Sequence, residues 1–337
     1  MKRVPKLAVL TLSAMLALSG CGMTSDPLPG TAGGDGQPVA VTTQDYTPAE
    51  VIKPKDGKKV KIGASFPLLD QFLQNVSNSI KARAEAAGAE VSVTSAEEKI
   101  EVQLNQIENF IASGVDALIV LPQDTATTAQ ITQKAKAANI PLVYVNRRPA
   151  DLPKGVPYVG SDSLVAGQLE MEQLAKLSNH QGNVAILQGD PTQEAAQQRT
   201  KGCEEIAAKY DMKIVFNQTG LWARDKGLAL TENLIQSGQQ VDVICANNDE
   251  MALGAINALE SAGMLDKVVV GGVDATGDAL AAMTAGKLEV TVFQDAKGQG
   301  QAGVDTAIKM INGDEVPDVI NVPYQLVTPE NMSQFQQ

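Results

Sequence analysis

One pattern limits what this chain can fold into: short apolar runs alternate with longer amphipathic stretches, and the alternation restarts halfway along. A strand buried on both faces reads as a continuous apolar run, and the helix that carries the chain to a parallel neighbour shows apolar residues three and four apart. In the first half, Val60 to Ser65 leads to a helix near Asp70 to Ala87, and Glu90 to Thr94 to a helix near Lys99 to Ser113. Asp116 to Leu121 then leads to a helix near Asp124 to Ala138, with Pro141 to Val145 as the next strand. After a crossing segment at Val156 to Asp162, helices near Leu164 to Ser178, Gln193 to Lys209, Lys226 to Gln236 and Glu250 to Ala262 follow. Strands at Asn183 to Gln188, Lys213 to Asn217, Val241 to Ala246 and Val268 to Gly272 lie between and after them. Two doubly wound, Rossmann-like parallel sheets of an α/β protein are predicted. Strand Leu288 to Phe293 and helix Gly298 to Ile311 remain, and periodicity does not assign them to either sheet.

A length of 337 residues accommodates two domains of ordinary size. Aromatics are only 4% of the chain, so small aliphatic side chains must fill the interiors. The net charge of −12 at pH 7 lacks the clustered cations that phosphate backbones require, and no nucleic-acid partner is expected. Cys21, Cys203 and Cys245 fit no zinc spacing and are too few for a disulfide scaffold, so no metal is expected. Cys203 lies in a helical pattern and Cys245 ends an apolar strand run. Both read as buried small hydrophobes in preference to a disulfide. His180, the only histidine, sits in a turn and reads as a surface residue. No nucleophile elbow, phosphate loop or paired metal histidine is present, so neither an enzyme nor a cofactor is expected.

Lys2, Arg3 and Lys6 precede the apolar run Leu7 to Leu18, the charged start and short greasy middle of an export signal over residues 1–20. Leu18-Ser19-Gly20-Cys21 resembles the bacterial lipobox, which implies that Cys21 carries the lipid of an anchored, exported protein. That places the chain in the periplasm or on the outer face of the cytoplasmic membrane. The competing reading is a plain cleaved signal with an incidental cysteine. Residues 21–57, rich in Gly, Pro, Thr and Asp, read as a disordered tether.

Ligands of open parallel sheets collect beyond the carboxyl ends of the strands. Directly after predicted strands come Asp70 and Phe72, Asn146-Arg147-Arg148, Gln188-Gly189-Asp190, Trp222, Asn247-Asn248-Asp249, Asp274 and Gln294-Asp295. Carboxylates accept from neighbouring hydroxyls, amides donate and accept, guanidinium supplies fixed donors, and aromatic faces cover the C–H side of a ring. That mixture suits a small sugar or polyol. Each residue also has a plainer reading. Asn248 and Asp274 precede helices and suit helix caps, Trp222 and Phe72 suit packing, and Arg147 beside Arg148 suits a surface ion pair.

Asn247-Asn248-Asp249-Glu250-Met251-Ala252-Leu253-Gly254-Ala255, Val270-Gly271-Gly272-Val273-Asp274 and Ile140 to Arg147 resemble the ribose and galactose type of periplasmic binding protein. The resemblance runs from about Val60 to the C-terminus. It implies the type I fold, two lobes joined by a three-strand hinge, with residues 58–161 plus 295–322 in one lobe and 162–294 plus 323–337 in the other. It also implies a ligand set of Asp70, Phe72, Asn146 and Arg147 from the first lobe and Gln197, Trp222, Asn248 and Asp274 from the second, with Gln294 at a hinge. Gln197 also reads as a solvated helix residue. The ribose-binding pattern has Asp at the position of Asn146 and Arg at the position of Gln197, and the Asn146-Arg147-Arg148-Pro149 run is closer to inositol-binding relatives. The implied function is a monomeric substrate-binding lipoprotein that passes a small sugar or polyol to an ABC importer's permease. The alternatives are an exported sensor serving a receptor kinase or chemoreceptor and, more remotely, a carbohydrate-active hydrolase built on Asp70 and Asp274. A repressor is excluded because the export segment occupies the place of a DNA-binding headpiece.

Overall fold

The computed structural model describes residues 41–125 and 128–335, with Asp56 described for its backbone alone. The export signal and Cys21 lie outside the described residues. Among these, no helix is long and apolar enough to cross a membrane.

The first sheet contains β1 (Thr43–Asp45), β2 (Lys61–Phe66), β3 (Glu90–Ser95), β4 (Ala117–Val120), β5 (Leu142–Val145), β6 (Tyr158–Gly160) and β12 (Val319–Asn321). Its order is β1-β12-β6-β5-β4-β2-β3, parallel throughout. The second sheet contains β7 (Asn183–Gln188), β8 (Lys213–Thr219), β9 (Val243–Ala246), β10 (Val269–Asp274), β11 (Val290–Phe293) and β13 (Gln325–Val327). Its order is β13-β11-β10-β9-β7-β8, parallel except for β13, which runs against β11. The chain therefore crosses between the sheets after β6, after β11 and between β12 and β13. The remaining strand and helix, left open by periodicity, divide between the lobes: β11 joins the second sheet, whereas α9 (Ala296–Ile311) packs on the first.

Helices cover both faces of each sheet. In the first lobe α1 (Gln71–Ala87) lies beside α9 on one face, with α2 (Ile100–Ala112) and α3 (Thr128–Ala137) on the other. Alternation along β4 sends Ala117 and Ile119 into one core and Leu118 and Val120 into the other. In the second lobe α4 (Ser163–Leu177) and α5 (Glu194–Lys209) share one face. The opposite face carries α6 (Arg224–Gln236), α7 (Asp249–Ser261) and α8 (Gly277–Thr284), the last a helix that the sequence pattern did not separate from its neighbours.

Glycine brings these helix pairs into backbone contact. A Cβ at Gly254 of α7 would lie 2.2 Å from the Arg224 carbonyl oxygen at the start of α6, and one at Gly227 would lie 2.5 Å from Met251 O. Gly254→Ala is expected to force the helices apart and destabilise the protein by about 1–3 kcal/mol. Urea denaturation measures this, and an unchanged midpoint would show that the interface yields freely.

The tether reading needs correction over residues 41–57. Thr43–Asp45 pairs with Val319–Asn321 and extends the first sheet by one strand. Tyr46, Val51 and Ile52 pack against the core beneath α1 and α9. Arg83, buried in α1, binds Asp305 of α9 through two hydrogen bonds of 2.8 and 2.7 Å and donates to the carbonyls of Ala49 and Glu50. The segment is polar in composition, but its unpaired backbone groups and three apolar side chains find partners on an existing sheet edge.

The cysteine reading is corrected as well. Cys203 of α5 and Cys245 of β9 are joined in a disulfide, with Cα atoms 6.7 Å apart. Both are buried, as read, but bonded.

Candidate functional site

Between the two lobes lies a cavity of roughly 490 Å3, part of it open to solvent. Asp70, Phe72, Asn146 and Arg147 line it from the first lobe, and Trp222, Asn248, Asp274 and Gln294 from the second. Leu73, Ser163, Gln193, Ala195, Arg199 and Tyr324 complete the lining. The lobes also touch directly, through Thr125 Oγ1 donating to Thr192 O at 3.0 Å and Asp278 N donating to Gln71 Oε1 at 3.3 Å.

Gln197 is the predicted residue that the cavity does not include. Its side chain is exposed and donates to Pro191 O at 2.8 Å. Two residues along a helix rotate a side chain by about 200°, so Gln197 and Arg199 face opposite ways, and Ala195 shares a face with Arg199 instead. The arginine that lines the cavity from this helix is Arg199, two positions further on.

Arg199 is the hub of the site. It is buried, donating from Nη1 to Asn247 O at 2.6 Å and from Nη2 to Gln294 Oε1 at 2.5 Å and Tyr324 Oη at 2.8 Å. Asp274 stands 3.9 Å from Nη1. The rings of Trp222 and Tyr324 lie 5.6 and 5.7 Å from the guanidinium carbon, within range of cation–π attraction. Burial opposes the charge on Arg199, but Tyr324, Asp274 and Glu170 outweigh it and hold its pKa above the ordinary value. Arg147, equally buried, has weaker compensation from Asp70, Asp190 and Glu98, and burial pulls it down to about 10, so it too stays a cation at neutral pH.

Several lining residues serve two purposes. Asn248 caps α7, accepting from Met251 N at 3.1 Å, while its amide nitrogen donates to Trp222 O at 3.2 Å. Asp70 caps α1, accepting from Leu73 N at 2.7 Å. Phe72 belongs both to the cavity wall and to the first-lobe core. Asp274, by contrast, caps nothing, since Thr276 is the N-cap of α8. Asn146 donates to Gln299 Oε1 at 3.1 Å, and Trp222 Nε1 donates to Gln193 Oε1 at 3.1 Å. Gly189, just after β7, lets the indole approach: a Cβ there would stand 2.3 Å from the ring.

Backbone strain gathers at the same place. Asn146, Trp222 and Asp274 have φ of 64°, 68° and 127°, conformations that side chains other than glycine adopt at a cost. Asp274 ends β10, Asn146 follows β5 and Trp222 lies in the loop after β8, where an abrupt turn aims each side chain into the cleft.

The buried carboxyls are pushed toward their neutral forms. Burial raises Asp70 against opposition from Leu73 N–H and Arg147, and raises Asp274 strongly against opposition from Arg199. Glu170 of α4 is fully buried beneath the site, and neither carboxyl oxygen has a hydrogen-bond partner. Burial raises it well above the ordinary value, with Ala246 N–H and Arg199 opposing the shift without reaching hydrogen-bond geometry. A carboxyl that holds its proton more tightly when folded contributes stability below the ordinary range near pH ~4 and loses it as pH rises through the raised folded value. Glu170→Gln is therefore expected to flatten the fall in melting temperature between acid and neutral pH. Parallel curves for variant and wild type would contradict this.

Two α/β lobes joined by three crossings, enclosing a polar, aromatic-walled cleft at the carboxyl ends of both sheets, define a two-lobed solute binder. The architecture matches solved proteins of that class. A solute-binding protein from Bacillus halodurans with bound myo-inositol superposes with a TM-score of 0.80 at 42% identity, covering 84% of this chain and 99% of that one. Residues 62–315 match the periplasmic binding protein domain, and the chain belongs to that family. A Rhizobium meliloti protein named for rhizopine binding is 42% identical over 284 residues, 82% of this chain and 92% of its own. The ribose import binding protein of Bacillus subtilis is 30% identical over 292 residues, 86% of this chain and 94% of its own. Proteins of this family bind solutes and are not enzymes.

Proposed function

We propose that this chain is the substrate-binding lipoprotein of an ABC importer and captures a small polyol or sugar, of the inositol, pentose or hexose class, between its lobes. The observation that carries this reading is the cavity itself: two buried arginines, two acids, four amides and three aromatic rings converge there from both lobes. Hydroxyls around a ring need donors and acceptors at its edge and apolar contact on its faces, and this lining supplies both. A ligand touching both lobes binds the closed arrangement better than an open one, so occupancy shifts the hinge equilibrium toward the form a permease recognises. Asn146 in place of an acid, together with the likeness to the myo-inositol complex, favours a cyclic polyol over ribose.

Trp222 is the sole tryptophan and lines the cavity, so its emission is expected to change when ligand binds. Titration with myo-inositol, ribose, xylitol and common hexoses, followed by fluorescence and calorimetry, tests the reading. No heat and no spectral change across that panel would remove it.

The anchor is part of the same proposal. Leu18-Ser19-Gly20-Cys21 supports lipidation of Cys21 after export, leaving a monomer held at the cell envelope. Cys21→Ser is expected to move the protein from the membrane fraction to the soluble fraction of an expressing cell, and an unchanged distribution would argue for another attachment.

A further inference from the structure

We infer that the Cys203–Cys245 disulfide is a positioning crosslink for the ligand site, fixing the spacing of α5 and β9 at which Arg199 reaches both the cleft and the hinge. The inference rests on the reading of the cleft given above.

Arg199 and Cys203 are four residues apart on α5 and lie on one face of it, about 6 Å apart along the axis. Cys245 sits in β9, a strand with neighbours on both sides, β7 and β10. Two residues further, Asn247 O accepts from Arg199 Nη1, while Asn247 Oδ1 accepts from Thr200 Oγ1 at 3.0 Å and Gly189 N at 3.1 Å. One helix face is thus held to one strand end by a covalent bond below and hydrogen bonds above, and the upper set carries the guanidinium. The other side of α5 packs closely on α4, so a displacement of α5 is not absorbed there without moving its backbone. A Cβ at Gly167 of α4 would lie 2.0 Å from the carbonyl oxygen of Arg199 itself, and one at Gly202 would lie 2.6 Å from Leu164 O.

Glu170, one turn along α4 from Gly167, closes the space around the sulfurs. One of its carboxyl oxygens and both Sγ atoms lie within 4.8 Å of one another, all buried. A dithiol that cuts the bond gives up two electrons and two protons, leaving two thiols on the protein and becoming a cyclic disulfide itself. Unbonded sulfurs stand farther apart than bonded ones. With the carboxyl and the sheet against them, the separation is taken up by α5, and Arg199 shifts relative to Asn247, Gln294 and Tyr324. Because the Trp222 ring lies over that guanidinium, the shift also reaches the indole.

The test compares myo-inositol, ribose and xylitol binding by calorimetry for oxidised wild type, dithiothreitol-reduced wild type and Cys203→Ala/Cys245→Val, with thiol titration confirming each state. Oxidised protein that binds none of the three overturns the reading of the cleft and this inference with it. Given a ligand for the oxidised protein, the reduced and cysteine-free forms are expected to bind it roughly tenfold or more weakly, as loss of one well-placed charged hydrogen bond implies. Their ligand-free Trp222 emission is expected to shift, at temperatures where they remain folded. A purely structural crosslink would lower the melting temperature and leave affinity and emission alone. That outcome, affinity within about twofold, or free thiols in the protein as isolated, overturns the inference while the cleft reading stands. If the double variant does not fold, reduced wild type decides the matter.

Discussion

Arg199→Met is expected to lose ligand binding and much of the protein's stability together. The variant keeps an unbranched apolar stem but strips Asn247 O, Gln294 Oε1 and Tyr324 Oη of their shared donor and leaves Asp274 without its nearest cation. Removing one member of a buried charged cluster costs about 3–5 kcal/mol of folding stability, because the desolvation of its partners is no longer offset. The same loss applied to a ligand that hydrogen-bonds the guanidinium weakens binding by about 2–5 kcal/mol, from tens to thousands of times. Arg199→Lys is expected to restore little, since a single ammonium cannot replace a planar fork that meets three oxygens at once. Calorimetry with the ligand of the wild type and urea denaturation read the two effects separately. A variant that binds within about tenfold of wild type would show that the hub is structural and does not touch ligand.

Asp274→Asn separates what the first variant combines. The amide keeps the shape of the side chain and tolerates left-handed backbone, as the φ of 127° at this position demands. It also removes a carboxyl that burial disfavours and that only Arg199 supports strongly. Folding stability is therefore expected to hold or rise, while ligand hydroxyls that donate to Asp274 favour its charged form, so the amide loses an acceptor worth about 1.5–3 kcal/mol, roughly ten- to a hundredfold in affinity. A fall in both would mean that Asp274 serves the fold more than the ligand. Contrasting results for the two variants would show strain and buried charge kept at the cleft for binding, at some cost in stability.

Local rules made most of the architecture legible. Strands buried on both faces leave continuous apolar runs, and the long helices between them carry a clear period, so both sheets and most crossovers could be placed without tertiary information. The same logic placed the loops after strands, and Asn146, Arg147, Trp222, Asn248 and Asp274 were found because a polar or aromatic residue just past a strand's carboxyl end has one cleft to face. Gln197 lies outside the cavity for a geometric reason. It stands about 200° around α5 from Arg199, and the pattern of buried residues Ala196, Arg199, Thr200 and Cys203 along the helix was the signal that could have chosen the inward face. Tyr324 left no such trace, because it lies in the short link between β12 and β13, beyond the reach of periodicity. The disulfide is a statement about the distance between α5 and β9, which neither element encodes alone. The segment at 41–57 was misread because three apolar anchors among polar neighbours show no period; their order comes from the sheet edge they meet.

The paths of the two chain ends have a practical use. The segment around Thr47 is sewn to the first sheet through β1, whereas the residues after β13, with the Phe335 ring packed at a tilt against Phe293 at a centroid distance of 4.9 Å, ride on the second. Thr47 and Ser333 are both solvent-exposed, so a donor dye at one and an acceptor at the other would sit on opposite jaws without entering either core. Energy transfer between them would then report the gape of the molecule directly, turning the protein into an optical gauge of its own solute.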